Sequence, residues 1–196
     1  MSIKNPHEQA QKARALLARS EQIVSEAEVQ AAVDKIAAAL NQRFDNEAHP
    51  VLPLVLSIMG GAVIFTGQLL PRLTFPLEFD YIHVTRYGRE DKGGTVEWKV
   101  EPHASLLGRT IIVLDDILDE GETLAHVKHR LLAMGAGEVI LAIFADKEIG
   151  KTKPVTPDYV GVTLPNRFVV GFGMDAYGYW RNLPAIWAIT PSKDNQ

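Results

Sequence analysis

The sequence predicts an α/β fold: a parallel sheet with helices on its faces. Short apolar runs, VLPLVLSI, RTIIVLDDI and EVILAIFADK, alternate with helical stretches. Strands and helices in alternation argue for parallel pairing. The apolar share, 46% of 196 residues, is that of a globular chain, and the length suits about one domain.

The elements follow in order. Residues 1–45 read as helix. Ser25 with Glu28 three places on fits a capping box, and Val29, Val33, Ile36 and Leu40 form one apolar stripe, a packing face or oligomer contact. Asn46 to Pro50 breaks it. VLPLVLSI is a buried strand ending at the Gly60-Gly61 turn, and AVIFTGQLLPRL is helical. LEFDYIHVTR alternates as a strand, YGREDKGG (87–94) is a polar loop, and TVEWKVEP is the returning strand. RTIIVLDDI is a strand, GETLAHVKHRLLAMGAG a helix with a glycine exit, and EVILAIFADK a further strand. Short strands are expected near 159–163, 168–170 and 185–189.

Composition excludes several functions. With no cysteine there is no disulfide scaffold, thiolate zinc site or Cys nucleophile, and a reducing compartment is the better fit. Twenty basic and 24 acidic residues leave a net charge of −4 with a pI near 5.9, which argues against a dedicated nucleic-acid binder. No run approaches the roughly 20 apolar residues of a membrane span, and the polar N-terminus lacks a signal-peptide core. His126 and His129 share a helix face but have no matching further ligand, so they read as surface residues.

Residues 111–124, IIVLDDILDEGETL, carry the chemistry. An apolar strand runs into Asp115 and Asp116; a third acid, Asp119, precedes Gly121 and Thr123, where a helix starts. Ligands bind at the carboxyl ends of such strands, and backbone N–H groups at a helix start favour phosphate. Carboxylates beside such a site suit sugar hydroxyls, Mg²⁺ or a transferable proton. An acidic loop capping a helix is the plainer alternative.

VLDDILDEGETL resembles the phosphoribosyl-pyrophosphate (PRPP) motif of the type I phosphoribosyltransferases. Residues 157–175 (PDYVGVTLPNRFVVGFGMD), YWRNL at 179–183 and LSIMGG at 56–61 narrow the likeness to the hypoxanthine-guanine phosphoribosyltransferases. The resemblance implies a parallel-sheet type I core over about 50–155 within a domain of 49–196. It implies a small hood from 156–190 and the N-terminal segment, with 1–48 as a helical N-terminal extension. The implied reaction joins ribose to N9 of hypoxanthine or guanine, with Mg²⁺ as cofactor, giving IMP or GMP and pyrophosphate. The expected protein is a cytoplasmic homodimer or homotetramer with no nucleic-acid or membrane partner.

Site roles follow from the same resemblance. Asp119 is the general base near purine N7. Asp115 and Asp116 lie by the ribose hydroxyls and Mg²⁺, and Asp175 lies near the base and a second Mg²⁺. Glu120, Gly121, Glu122 and Thr123 belong to the 5′-phosphate loop. Met59, Gly60, Gly61 and Arg181 face pyrophosphate, with a cis peptide suggested at Met59–Gly60. Lys147 donates to the 6-oxo group, Phe168 stacks on the base, and the Val169 backbone faces the purine edge. Arg86 and Tyr87 open a mobile loop, 86–94, that closes over the site. Three positions depart from the family: Glu120 stands for Thr or Ser, Glu122 often for Lys, and Met59 often for Lys. These departures favour an alternative, a non-catalytic regulator that senses purine nucleotides or PRPP on the same fold.

Overall fold

A computed structural model describes residues 5–45, 51–87 and 95–190. The chain runs α1 (Pro6–Ala18), β1 (Ser20–Val24), α2 (Glu26–Phe44), β2 (Leu54–Met59), α3 (Val63–Leu69), β3 (Glu78–Tyr87) and β4 (Thr95–Val100). It continues with β5 (Thr110–Leu118), α4 (Glu122–Ala133), β6 (Glu138–Glu148), β7 (Tyr159–Pro165), β8 (Val169–Val170) and β9 (Ile186–Ile189).

The main sheet has the order β4-β3-β2-β5-β6-β7. Pairing is parallel from β3 through β7, and β4 returns antiparallel to β3. Helices cover both faces. Val29, Val33, Ile36 and Leu40 of α2 pack with Phe65 and Leu69 of α3 on Val55, Ile112, Leu114 and Phe144. Leu124, Val127 and Leu131 of α4 pack on Leu56, Val113, Leu141 and Ile143. Cover on both faces is why β2, β5 and β6 are apolar runs without alternation.

The capping box is present: Ser25 Oγ accepts from the Glu28 N–H, and the Glu28 carboxylate accepts from the Ser25 N–H. One expectation fails within 1–45. Residues 20–24 form β1, not helix, and pair antiparallel with β9. With β8 they make a second sheet, β1-β9-β8. Helix α1 lies against it: Leu16 packs with Val170, Ala176 and Ile189, and Trp180 Nε1 donates to the Ala13 carbonyl at 2.7 Å. The segments expected at 46–50 and 88–94 lie outside the described residues. No helix among the described residues is long and apolar enough to cross a membrane.

Candidate active site

The carboxyl ends of β2, β5 and β6 are neighbours in the sheet, so their exit residues converge. Asp115 and Asp116 still belong to β5, while Asp119 stands just past its end. Asp116 is buried, and its Oδ1 accepts from the Ile117 N–H at 3.0 Å; Asp115 Oδ1 accepts from the Asp116 N–H at 3.0 Å. Burial raises the pKa of both acids. Asp115 is pushed furthest, because Asp116 also repels its ionised form, while the Arg181 guanidinium draws Asp116 back.

Three segments meet at Asp116. The Met59–Gly60 peptide is cis. A Cβ at Gly61 would lie 2.2 Å from an Asp116 carboxylate oxygen, and one at Gly173 would lie 2.1 Å from the Gly61 carbonyl oxygen. No side chain larger than hydrogen fits either place. Arg181 Nη1 donates to the Gly173 carbonyl at 2.6 Å and the guanidinium pairs with Asp175, whose other oxygen accepts from the Gly178 N–H. Met59, Gly60 and Gly61 therefore share one corner with Asp116, Asp175 and Arg181.

A second cluster forms one turn along the chain. Lys147, at the end of β6 and buried, pairs with Asp119 at 2.5 Å; the Asp119 side chain is 49% exposed. Gly121 opens α4 at φ +87°, a left-handed conformation that favours glycine. No side chain caps this helix start, so its first N–H groups can hold an anion. Thr123 lies in that first turn. Glu122 is exposed, and Glu120 pairs with Arg86 of β3 at 2.8 Å.

Phe168 is 51% exposed, with its ring edge-on to Tyr177 at 6.3 Å. Val169 is buried in β8 opposite Ala188. Tyr87 ends β3, and the rest of the expected mobile loop is outside the described residues. His126 and His129 are exposed on α4.

Two site residues escaped the sequence reading. Gly173 stood inside a recognised motif, and its GFG setting was the available signal. Lys153 had none. Its Nζ donates to Leu118 O, Asp146 Oδ1 and Lys147 O at 2.9, 2.5 and 2.6 Å.

Among the described residues, no three His, Cys, Asp or Glu side chains group as a ready metal cage. The Asp115–Asp116 pair is nevertheless a donor set suited to Mg²⁺, which commonly takes one or two carboxylates and completes its shell with water and substrate oxygens.

Known proteins resemble this chain over most of its length. A sequence model of the phosphoribosyl transferase domain matches residues 20–177. The chain is 34% identical over 175 residues to the hypoxanthine-guanine phosphoribosyltransferase of Lactococcus lactis, covering 89% of this chain and 93% of that one. The corresponding Bacillus subtilis enzyme is 30% identical over 171 residues, covering 87% and 93%. A solved hypoxanthine phosphoribosyltransferase from Staphylococcus aureus superposes with a TM-score of 0.82 at 23% identity, covering 90% of this chain and 95% of that one. At that identity the superposition speaks for the fold.

Proposed function

Because the chain belongs to the phosphoribosyl transferase family, we propose that it transfers the phosphoribosyl group of PRPP to N9 of hypoxanthine or guanine, a purine-salvage reaction. The Asp119–Lys147 pair is the observation that carries this reading. A 6-oxopurine with a proton on N7 presents an acceptor, O6, beside a donor, N7–H. An ammonium beside a carboxylate is the complement of that edge. Adenine offers a 6-amino donor to the same ammonium, and a buried donor facing a donor is strongly rejected.

In the reaction the C1′–oxygen bond to pyrophosphate breaks and the N9–C1′ bond forms. Asp119 takes the N7 proton as the base becomes a nucleophile. Asp115 and Asp116 hold the ribose hydroxyls and stabilise the positive charge that develops at the sugar. The α4 start, from Gly121 through Thr123, binds the 5′-phosphate through backbone N–H groups. The Gly60–Gly61 backbone and Arg181 take the pyrophosphate. Phe168 stacks on the base, and the Val169 backbone meets its edge. Mg²⁺ is part of the proposal, held by Asp115 and Asp116; when bound, it neutralises charge on the leaving group. For a second Mg²⁺ Asp175 is the weaker candidate ligand, since Arg181 and the Gly178 N–H already engage it.

The regulator reading loses its main motive at Glu120, whose charge is matched by Arg86, and at Glu122, which is exposed. A cytoplasmic homodimer or homotetramer completes the proposal, and sedimentation checks the assembly. The test of function is product analysis. Purified protein with PRPP, Mg²⁺ and hypoxanthine or guanine should yield IMP or GMP plus pyrophosphate, and EDTA should stop it. Absence of nucleotide from both bases would overturn the reading.

A further inference from the structure

We propose that Lys153 is a positioning residue that fixes the separation of Asp119 and Lys147 and thereby the choice of purine; the inference rests on the proposed function. Its ammonium has three protons, and each meets an acceptor: Leu118 O on β5, and Asp146 Oδ1 and Lys147 O on β6. The Lys153 side chain is 12% exposed, so these bonds are shielded from water. Leu118 and Asp146 are paired at the end of the β5–β6 ladder. Asp119, just past the end of β5, and Lys147, on β6, are the next residues along each chain segment. Beyond that last rung the Asp119–Lys147 pair also bridges the two exits, but in the proposed reaction it opens to admit a purine, whereas the Lys153 bonds to Leu118 O and Lys147 O do not depend on it.

The same segment also packs close to the phosphate loop. A Cβ at Gly121 would lie 3.4 Å from Lys153 Cβ and 3.3 Å from Pro154 Cδ. The loop after β6 thus backs both the purine-reading pair and the first residue of the α4 start. The two sides use different parts of Lys153: the ammonium braces the purine side, and Cβ with Pro154 fills the space beside Gly121 on the phosphate side. Replacing the ammonium alone therefore separates them.

Lys153→Met keeps the stem and removes the donors. A misplacement of about 1 Å in a reacting group can cost about 10²-fold. The expected result is a fall of about 10- to 100-fold in kcat/KM for hypoxanthine and a narrower preference for hypoxanthine over adenine. The KM for PRPP should stay within about twofold, because the Gly121 contacts are kept. A purely structural role would weaken both substrates alike and leave the base preference intact, and that outcome, or wild-type kinetics in the variant, overturns the proposal. Should Lys153→Met fail to fold, Lys153→Gln, a shorter uncharged side chain with two N–H donors in place of three, is judged by the same criteria. Wild-type protein assayed alongside separates the two claims. A wild type that turns over neither base refutes the proposed function and this role with it. An active wild type with an indifferent variant refutes the positioning role alone.

Discussion

Asp119 and Lys147 are a neutral unit: the ammonium is buried and its carboxylate partner is half exposed. In the proposed reaction a purine enters between them, so each has two partners in turn. Asp119→Asn keeps the shape and removes the proton acceptor. It should lower kcat by about 10²- to 10⁴-fold and change both KM values far less, a split that steady-state kinetics reads directly. Arg86 and Glu120 are matched in another way. They stand 34 residues apart in sequence and meet through the fold. Exposed ion pairs contribute only about 0–1 kcal/mol to stability, so under the proposed function their effect is expected on PRPP binding. Arg86→Ala leaves Glu120 uncompensated beside the phosphate loop and should raise the KM for PRPP. Adding Glu120→Thr should restore it, and a double variant no better than the single one would refute the pairing.

At the scale of elements, legibility follows locality. Strands β2, β5 and β6 are readable because cover on both faces leaves them apolar throughout. The capping box of α2 is readable because its partners sit three residues apart. Strand β1, SEQIV, is polar and short; its extended form comes from pairing with β9, at the far end of the chain, which no local pattern reports. Acids and glycines of the α4 start were legible as a motif, whereas Lys153 was not, because two of its three acceptors are carbonyls that any residue supplies. Gly121 shows what the element demands. Its positive φ and close neighbours penalise any Cβ, at about 1–2 kcal/mol for the conformation alone. Gly121→Ala should lower Tm by roughly 2–4 °C for each kcal/mol lost. It should also raise the KM for PRPP; an unchanged KM would detach this turn from phosphate binding.

For the whole molecule, the proposed role of the acid pair sets function against stability. Asp115 and Asp116 have pKa values raised in the folded state by burial, and for Asp115 by mutual repulsion as well. An unfolded Asp titrates near about 3.9. Above that pH the folded protein holds more protons than the unfolded chain, so stability falls as pH rises towards the folded values. Asp115→Asn removes this penalty. Without PRPP and Mg²⁺, its Tm should exceed that of the wild type at pH 7 to 8, and the gap should close below about pH 4. The same variant should lose activity. A lower Tm at neutral pH would mean that the pair stabilises the fold and is not kept for its chemistry.

Selection of 6-oxopurines by a buried ammonium beside a carboxylate is the heart of the proposed chemistry. It is tested most directly by measuring kcat/KM with PRPP and Mg²⁺ for hypoxanthine, guanine, xanthine and adenine, in the wild type and in Lys147→Ala. The expected result is turnover of hypoxanthine or guanine, rejection of adenine, and loss of that discrimination in the variant. Adenine used as well as hypoxanthine by the wild type, or a preference that survives Lys147→Ala, would contradict it.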